Sequence, residues 1–257
     1  MTTSLIITSR LEENVLEIVL NRPEKRNALN RALLKQFCEV LEKANQDKSV
    51  RTLLIRGNGP VFCAGMDLNE ALEEDREHRS AALIGRMLTL LYHSPHVTVA
   101  ALHGAAVAGG AGIVAACDIA VAAKGTRIGF PETRKGLVPA QVLVLLMRQL
   151  RERDVRALVL LGEMIDAEQA MAMGLINRIV SEEEELLSAA LAYCRQVALC
   201  APLATAKTKK LIDSLSPTEF DDQIALMIEQ HQHMRTSEEA KEGIRSFLEN
   251  RSPSWNV

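Results

Sequence analysis

Two loops rich in glycine and alanine limit the folds open to this chain, because each follows a predicted strand. The first loop is 62–68, Phe-Cys-Ala-Gly-Met-Asp-Leu, and the second is 103–112, His-Gly-Ala-Ala-Val-Ala-Gly-Gly-Ala-Gly. Small side chains let other groups approach the backbone closely. The second loop leads into a predicted helix, whose first N–H groups lack intrahelical partners and carry partial positive charge. The pattern predicts strand–loop–helix units that expose backbone N–H groups.

The rest of the chain predicts an α/β fold. Short runs of branched apolar residues indicate strands at 15–20, 52–55, 97–101 and 119–122. Asn30 is suited to cap a helix that carries apolar residues at helical spacing, and a second helix is expected at 81–92. From about Ser181 onward the pattern indicates helices only. Strands alternating with helices in the first half favour α/β over all-α architecture.

Composition excludes several classes of function. The 257 residues are 47% apolar, enough for a core of normal size, and the net charge of −3 offers no electrostatic footprint for nucleic acid. We expect no signal peptide in 1–10 and no membrane span, because no uncharged apolar run is long enough. The five cysteines are odd in number and lack C-x-x-C spacing, so we expect no zinc site or disulfide framework but free thiols in a reducing cytoplasm.

The two loops also carry a chemical hypothesis. If they meet in space, they place two N–H donors on one carbonyl oxygen, which is what an oxyanion hole requires. Taken alone, each loop is equally well explained as a tight turn with close helix–strand packing. Dinucleotide binding by the second loop is less favoured, because the loop lacks G-x-G-x-x-G and no acidic residue follows at a suitable strand end.

Four motifs, the two loops counting as one, together resemble the crotonase (enoyl-CoA hydratase/isomerase) superfamily. Residues 21–30, Asn-Arg-Pro-Glu-Lys-Arg-Asn-Ala-Leu-Asn, resemble its N-terminal signature, and the two loops resemble its oxyanion-hole segments. Residues 129–139 resemble its catalytic-glutamate segment, and 242–247 with Pro253 and Trp255 are similar to its C-terminal end. The likeness covers essentially the whole chain in the right order. It implies a crotonase-type ββα spiral with the acyl-CoA site in residues 1–195, and a helical trimerisation region in 196–257.

The resemblance also implies roles for individual residues. Met66 and Gly109 would donate their N–H groups to the oxyanion, and Glu132 would be the catalytic carboxylate. The substrate path would be formed by Lys25, Arg26, Ala28, Leu29, Ala64, Asp67, Leu68, Gly110 and Pro131. Lys25 and Arg26 suit the coenzyme phosphates, although a solvated loop explains them equally well. For Asp67, capping of a helix is favoured over direct ligand contact.

The resemblance further implies a homotrimer or hexamer with no metal or redox cofactor, coenzyme A being part of the substrate. Glu132 lies beside Phe130 and Pro131, and apolar neighbours tend to raise a carboxyl pKa. His103 is expected to make a structural hydrogen bond, whereas His231 and His233 are expected at the surface. The acids Glu70, Glu73, Glu74 and Asp75 are expected to be solvated rather than folded over the site.

One departure from the family pattern decides between reactions. Typical hydratases of the family carry a second glutamate three residues after the second oxyanion glycine, and Gly112 occupies that position here. Ala140 and Gln141 also lack the aspartate of dienoyl-CoA isomerases and of the dehalogenase branch. The leading function is hydration or dehydration of a 2-enoyl-CoA by a single carboxylate. Two alternatives stay open: a Δ3,Δ2-enoyl-CoA isomerase and a non-catalytic acyl-CoA-binding protein.

Overall fold

The structure, a computed structural model, describes residues 4–71, 77–216 and 219–255. Its strands are β1 (Ile6–Glu12), β2 (Val15–Leu20), β3 (Thr52–Gly57), β4 (Val97–Leu102), β5 (Ala105–Val107), β6 (Ile119–Ala123), β7 (Arg127–Gly129), β8 (Met164–Asp166) and β9 (Arg178–Val180). The larger sheet has the order β1-β2-β3-β4-β6-β9, and the smaller has the order β5-β7-β8. In the larger sheet only the β1–β2 pair is antiparallel. Parallel strands joined through helices confirm the predicted α/β class.

The helices are α1 (Arg31–Gln46), α2 (Leu68–Ala71), α3 (Glu77–Tyr92), α4 (Gly109–Ala116), α5 (Ala140–Gln149), α6 (Glu152–Leu161), α7 (Ala167–Met173), α8 (Leu186–Ala198), α9 (Pro202–Ser214), α10 (Phe220–Arg235) and α11 (Glu238–Leu248). Beyond Ser181 the described residues form helices and turns without strands, as predicted. No single described helix is long and apolar enough to cross a membrane. The bent pair Glu183–Ala198 and Pro202–Ser214, at 104°, passes that test by length and composition alone.

The predicted elements form for the expected local reasons. Asn30 Oδ1 accepts a hydrogen bond from the Leu33 N–H at 2.9 Å, so it caps α1 as predicted. All six residues of β4 are buried, because this parallel strand is covered on both faces. At the start of α7, Asp166 and Gln169 form the reciprocal pair of hydrogen bonds of a capping box.

The edge strand β1 and the strands of three residues are absent from the sequence prediction. The edge strand β1 has four polar residues among seven and only one buried residue, and three-residue strands such as β5 and β7 are too short to show a period. The predicted loop 103–112 therefore contains β5. This strand pairs with β7, which leads directly to the segment that carries Glu132.

The C-terminal helices pack against the rest of the chain. α10 contacts α3 and α5, and α11 contacts the 3-10 turn Thr133–Lys135 just after Glu132. α8 packs on the larger sheet and continues to Ala198, across the expected boundary at residue 195. The division into 1–195 and 196–257 stays a prediction. The contacts nevertheless place the last two helices next to the candidate catalytic residue.

Candidate active site

A cavity of about 290 Å³ brings most of the predicted site residues together. The predicted residues that line it are Lys25, Arg26, Ala28, Ala64, Met66, Asp67, Leu68, Gly109 and Glu132. Residues far apart in sequence thus meet at one site. The family resemblance implied that these residues would form one site. In the structure, the pairing of their segments brings them together.

Leu29, Gly110 and Pro131 do not belong to the cavity lining. Leu29 is buried in the core, and its backbone joins the first loop through the Leu29 N–H to Gly65 O bond at 2.7 Å. At Gly110 a Cβ would lie 2.5 Å from Cys63 O, so this glycine permits close packing of α4 on the first loop. Pro131 instead lies against the turn at Gly162. The structure therefore gives all three a framework position beside the substrate path.

The two small-residue loops are bonded side by side. Cys63 N–H donates to Ala105 O at 3.1 Å, and Val107 N–H donates to Cys63 O at 2.9 Å. Within the described part of the chain, the N–H groups of Met66 and Gly109 donate no hydrogen bond. Both residues line the same cavity. The arrangement leaves two backbone donors for an oxygen atom bound there, as an oxyanion hole needs.

Backbone strain marks the entry to α4. Ala108 has φ 51° and ψ −121°, a conformation that residues other than glycine rarely adopt. Its N–H is held by Gly129 O at 2.8 Å, and the chain turns into α4 at Gly109 immediately afterwards. At Gly65, with φ +86°, a Cβ would lie 2.6 Å from Val107 O. Such strain persists only where the surrounding structure fixes it, and it is common at functional sites.

Asn27 holds the loops in register, a role that sequence reasoning missed. It is completely buried, and its Nδ2 donates to Asn58 O at 2.8 Å and to Val61 O at 2.9 Å. Its Oδ1 accepts from the Arg22 N–H at 2.9 Å. The left-handed backbone of Asn27, at φ 55°, suits asparagine better than most residues. Asn27 belongs to the 21–30 signature, so its presence there was the signal that could have indicated this structural role.

Asp67 serves the scaffold, as the preferred interpretation expected. Its Oδ2 accepts from Arg22 Nη1 at 2.7 Å, and its Oδ1 accepts from the Asn69 N–H at 3.1 Å at the start of α2. Burial raises the pKa of this carboxyl, but the hydrogen bonds from Arg22 and Asn69 outweigh burial and hold the pKa below its usual value. Asp67 is therefore ionised and paired at neutral pH.

Glu132 has the properties of an acid–base group. The residue is 9% exposed, and its Oε2 is buried with no hydrogen-bond partner among the described residues. Burial raises the pKa of Glu132 to about 7, although Lys135 and a backbone hydrogen bond oppose the shift. A group with a pKa near neutrality takes up and returns a proton readily.

The turn that carries Glu132 is seated on α11. At Gly136, with φ +66°, a Cβ would lie 2.3 Å from Glu239 O, and at Gly243 a Cβ would lie 2.2 Å from Lys135 O. Neither position has room for a side chain. The 242–247 segment of the C-terminal resemblance thus has a physical reason, since Gly243 lets α11 pack closely on the turn that carries Glu132.

The position of the missing second glutamate is filled by apolar packing. A Cβ on Gly112 would lie 2.7 Å from Val142 Cγ1 and 3.5 Å from Leu88 Cδ2. Ile84, Leu88 and Val142 line the cavity on this side. Gln141 is buried nearby with its Nε2 committed to Ala81 O at 2.9 Å. This end of the cavity suits a hydrocarbon chain and contains no second carboxylate among the described residues.

His231 corrects the expectation that it lies at the surface. It lines the cavity, and its Nδ1 lies 3.2 Å from Val138 O. The cause is the packing of α10 on α3 and α5, which turns this face of the helix inward. His233, two residues later, is exposed as expected. Phe247 and Leu248 from α11 complete this side of the cavity.

Other polar groups are accounted for by the scaffold. His103 Nε2 lies 2.7 Å from Gly59 O, the structural bond that was expected. Glu70 Oε2 accepts from the Arg31 N–H at 3.0 Å at the start of α1, so it is neither free in solvent nor turned into the site. Glu73, Glu74 and Asp75 lie outside the described residues. Across residues 4–71, 77–216 and 219–255, no cluster of three metal-ligating side chains occurs.

Comparison with known proteins gives consistent matches over almost the whole chain. The model of the enoyl-CoA hydratase/isomerase family matches residues 10–257. The chain is 33% identical to the carnitinyl-CoA dehydratase of Proteus mirabilis over 99% of each chain. It is 32% identical to the 2,3-dehydroadipyl-CoA hydratase of Escherichia coli over 98% of each chain.

Solved structures match equally well. The crystal structure of an enoyl-CoA hydratase from Mycobacterium avium superposes with a TM-score of 0.86 at 31% identity, covering 99% of this chain and 100% of that chain. A carnitinyl-CoA hydratase from the same species gives a TM-score of 0.86 at 30% identity, covering 99% of each chain. The likeness therefore includes both the sequence and the arrangement of the elements that build the cavity.

Proposed function

Because the chain belongs to the enoyl-CoA hydratase/isomerase family, with the crotonase-type fold that its sequence predicted, we propose that it adds water reversibly to a 2-enoyl-CoA. One observation carries the proposal. A buried carboxylate, Glu132, shares a cavity with the unpartnered N–H groups of Met66 and Gly109. This combination stabilises an enolate at the thioester and moves a proton beside it.

The proposed reaction uses these groups in a defined order. The thioester oxygen accepts hydrogen bonds from Met66 and Gly109, whose donors stabilise the negative charge that develops on it. Glu132, ionised at the start, takes a proton from water as the water oxygen bonds to C3 and the C2–C3 π electrons move towards the thioester. The protonated Glu132 then gives that proton to C2, which restores the thioester carbonyl. Dehydration follows the same steps in reverse.

Coenzyme A is the proposed occupant of the cavity's outer part. Lys25 and Arg26 are cations on the lining, where phosphate groups of the coenzyme find charge-assisted hydrogen bonds. Ala28, Ala64 and Leu68 offer small or apolar surface for the pantetheine arm. Lys135 adds a third cation to the lining, with its Nζ 4.6 Å from the centre of the Phe247 ring. No cofactor beyond the substrate's own coenzyme A is proposed.

Double-bond isomerisation is the second candidate, and Gly112 favours it. Moving a double bond from C3 to C2 needs one base that removes a proton and returns it elsewhere, which Glu132 can do alone. Hydration additionally needs a held water. The third alternative is a non-catalytic acyl-CoA-binding protein. It does not explain why the carboxyl group of Glu132 is buried with its pKa raised towards neutrality.

The proposed assembly is a homotrimer or a hexamer. Helix α9 has no buried residue in the single chain, and its Leu203, Leu211 and Ile212, with Leu215 just after it, are 64–85% exposed. Several large apolar side chains exposed on one helix and its end favour an interaction site there. Light scattering at micromolar concentration should give a trimer or hexamer, and a stable monomer would contradict the proposal.

A cytoplasmic location is proposed from the buried thiols of Cys38, Cys63, Cys117 and Cys194.

Two assays on the wild-type protein test the function. Crotonyl-CoA and a 3-enoyl-CoA of the same length are supplied separately, and products are separated by chromatography. Formation of 3-hydroxybutyryl-CoA from crotonyl-CoA supports the hydratase. Formation of 2-enoyl-CoA without any hydroxy product supports the isomerase. Binding without turnover of either thioester supports the non-catalytic alternative.

A further inference from the structure

The imidazole of His231 is fixed so that one ring nitrogen is left as an acceptor. Its Nδ1 lies 3.2 Å from Val138 O, and because a carbonyl only accepts, Nδ1 must carry the hydrogen. In the neutral ring Nε2 then holds a lone pair. Burial lowers the pKa of His231, and the nearby Arg235 acts in the same direction, so the ring is neutral at pH 7. Nε2 is buried and has no hydrogen-bond partner among the described residues.

His231 is anchored to the same turn as Glu132. The Leu137 N–H donates to Glu132 O at 3.0 Å, and the next residue, Val138, supplies the carbonyl that holds His231. Both side chains line the cavity. Each has one buried polar atom without a partner, Glu132 Oε2 and His231 Nε2. Burying an unsatisfied acceptor is unfavourable, so two such atoms in residues that line one cavity point to a donor that ligand binding brings to them.

We propose that His231 Nε2 accepts a hydrogen bond from the oxygen that is water in hydration and the 3-hydroxyl group in dehydration. The inference rests on the proposed function and assigns the contact that Gly112 cannot provide. Water has two protons to place. One passes to Glu132 and then to C2, while the other stays on the oxygen, is donated to His231 and remains as the hydroxyl hydrogen of the product. His231 keeps its own proton throughout.

The competing explanation is structural, since the bond to Val138 also ties α10 to the turn. A structural role would affect binding of every acyl-CoA, whereas the proposed role affects only those with an oxygen at C3. The two explanations therefore differ in what happens to butyryl-CoA, which has the same chain length and no such oxygen.

Substitution of His231 by asparagine or glutamine separates the two ring nitrogens. His231→Asn keeps an N–H near the Nδ1 position and removes the acceptor, while His231→Gln places a side-chain amide near the Nε2 position. We expect His231→Asn to lower the kcat for hydration of crotonyl-CoA roughly tenfold, the scale of one hydrogen bond, with the Kd for butyryl-CoA unchanged. His231→Gln should recover part of the lost hydration. His233→Asn, on the exposed face of α10, is the matched control and should change neither quantity.

Two results would overturn the inference. One is an unchanged hydration rate in His231→Asn. The other is a weaker Kd for butyryl-CoA in proportion to the lost rate, which would show a structural role. If the asparagine variant does not fold, His231→Leu and His231→Gln provide the same comparison, with equal hydration rates counting against the inference. A wild-type protein that hydrates no enoyl-CoA contradicts the proposed function instead, which keeps the two failures distinguishable.

Discussion

Two walls of the cavity work by different physical means. The loop wall, formed by 25–28, 64–68 and 108–109, offers backbone N–H groups that strand register and small residues hold in place. The helix wall, formed by His231, Phe247 and Leu248, offers side chains from α10 and α11. Its position depends on contacts between helices and the turn that carries Glu132.

This difference determines how each wall tolerates change. On the loop wall the donors are main-chain groups, so a side chain can vary wherever the backbone keeps its path, except at Gly65, where a Cβ would lie 2.6 Å from Val107 O. On the helix wall the backbone path tolerates only glycine at its contact points, and the identity of the inward side chain decides the chemistry. The strained backbone of Ala108 shows how strictly the path of the loop wall is held. The close packing at Gly243 shows how little room the helix wall leaves for a side chain.

The largest effect expected from a test of the loop wall is the loss of one backbone donor. Gly109 is the first residue of α4, a position where proline is compatible with a helix, so Gly109→Pro removes the N–H while letting the helix start. We expect kcat/KM to fall by about 10²–10³. Gly109→Ala keeps the N–H and is the matched control, with its Cβ meeting only the flexible Leu29 Cδ1 at 3.2 Å.

Proline also restricts the residue before it, so Ala108→Gly in the same protein relieves the strain this imposes. Thermal unfolding confirms that each variant is folded. Equal activity in the proline and alanine variants would exclude Gly109 as an oxyanion donor.

The sequence predicted the loop wall far better than the helix wall, for a physical reason. The loop wall has local signatures, such as glycine where no side chain fits and asparagine where the backbone is left-handed. His231 and His233 have no such signature. They stand two residues apart, about 200° around the helix, and only the packing of α10 decides which one faces the cavity. Strands of three residues, such as β5, were likewise too short to detect from a period.

The next effect concerns the stability that the protein gives up by burying Glu132. Its pKa in the folded state is raised from 4.5 to about 7, so the folded state binds the proton more tightly and loses stability as pH rises through this range. We expect Glu132→Gln to raise the free energy of unfolding at pH 8 by about 3 kcal/mol. At pH 5 the difference should shrink to below about 1 kcal/mol.

Denaturant unfolding of both proteins at the two pH values measures this difference. A variant that is equally stable at pH 8 would show that the cavity does not penalise the carboxylate. The variant is expected to gain stability and lose activity. A loss of activity in a more stable protein cannot come from general damage to the fold.

A smaller effect is expected where the second glutamate is missing. Gly112→Glu meets Val142 Cγ1 at 2.7 Å, so we expect the single change to destabilise the protein by about 1–3 kcal/mol. Combining it with Val142→Ala makes room and should recover the part of this loss that comes from overpacking. In the double variant, hydration of crotonyl-CoA should rise relative to isomerisation of a 3-enoyl-CoA, because a second carboxylate can hold the water.

Val142→Ala alone is the control for the enlarged cavity. If the double variant hydrates no better than this control, the position of Gly112 does not govern the choice of reaction. The helix wall, through His231, would then be sufficient to hold the water.

The most direct test of the central claim is the pH dependence of kcat/KM for hydration of crotonyl-CoA by the wild type and by Glu132→Gln. Since kcat/KM reports groups of the free enzyme, the wild-type value should rise with pH through an inflection near 7, where burial places the pKa of Glu132. Glu132→Gln should lower turnover by roughly 10²–10⁴ and remove the inflection. Full activity in the variant, or an unchanged inflection, would contradict the assignment of Glu132 as the group that moves the proton.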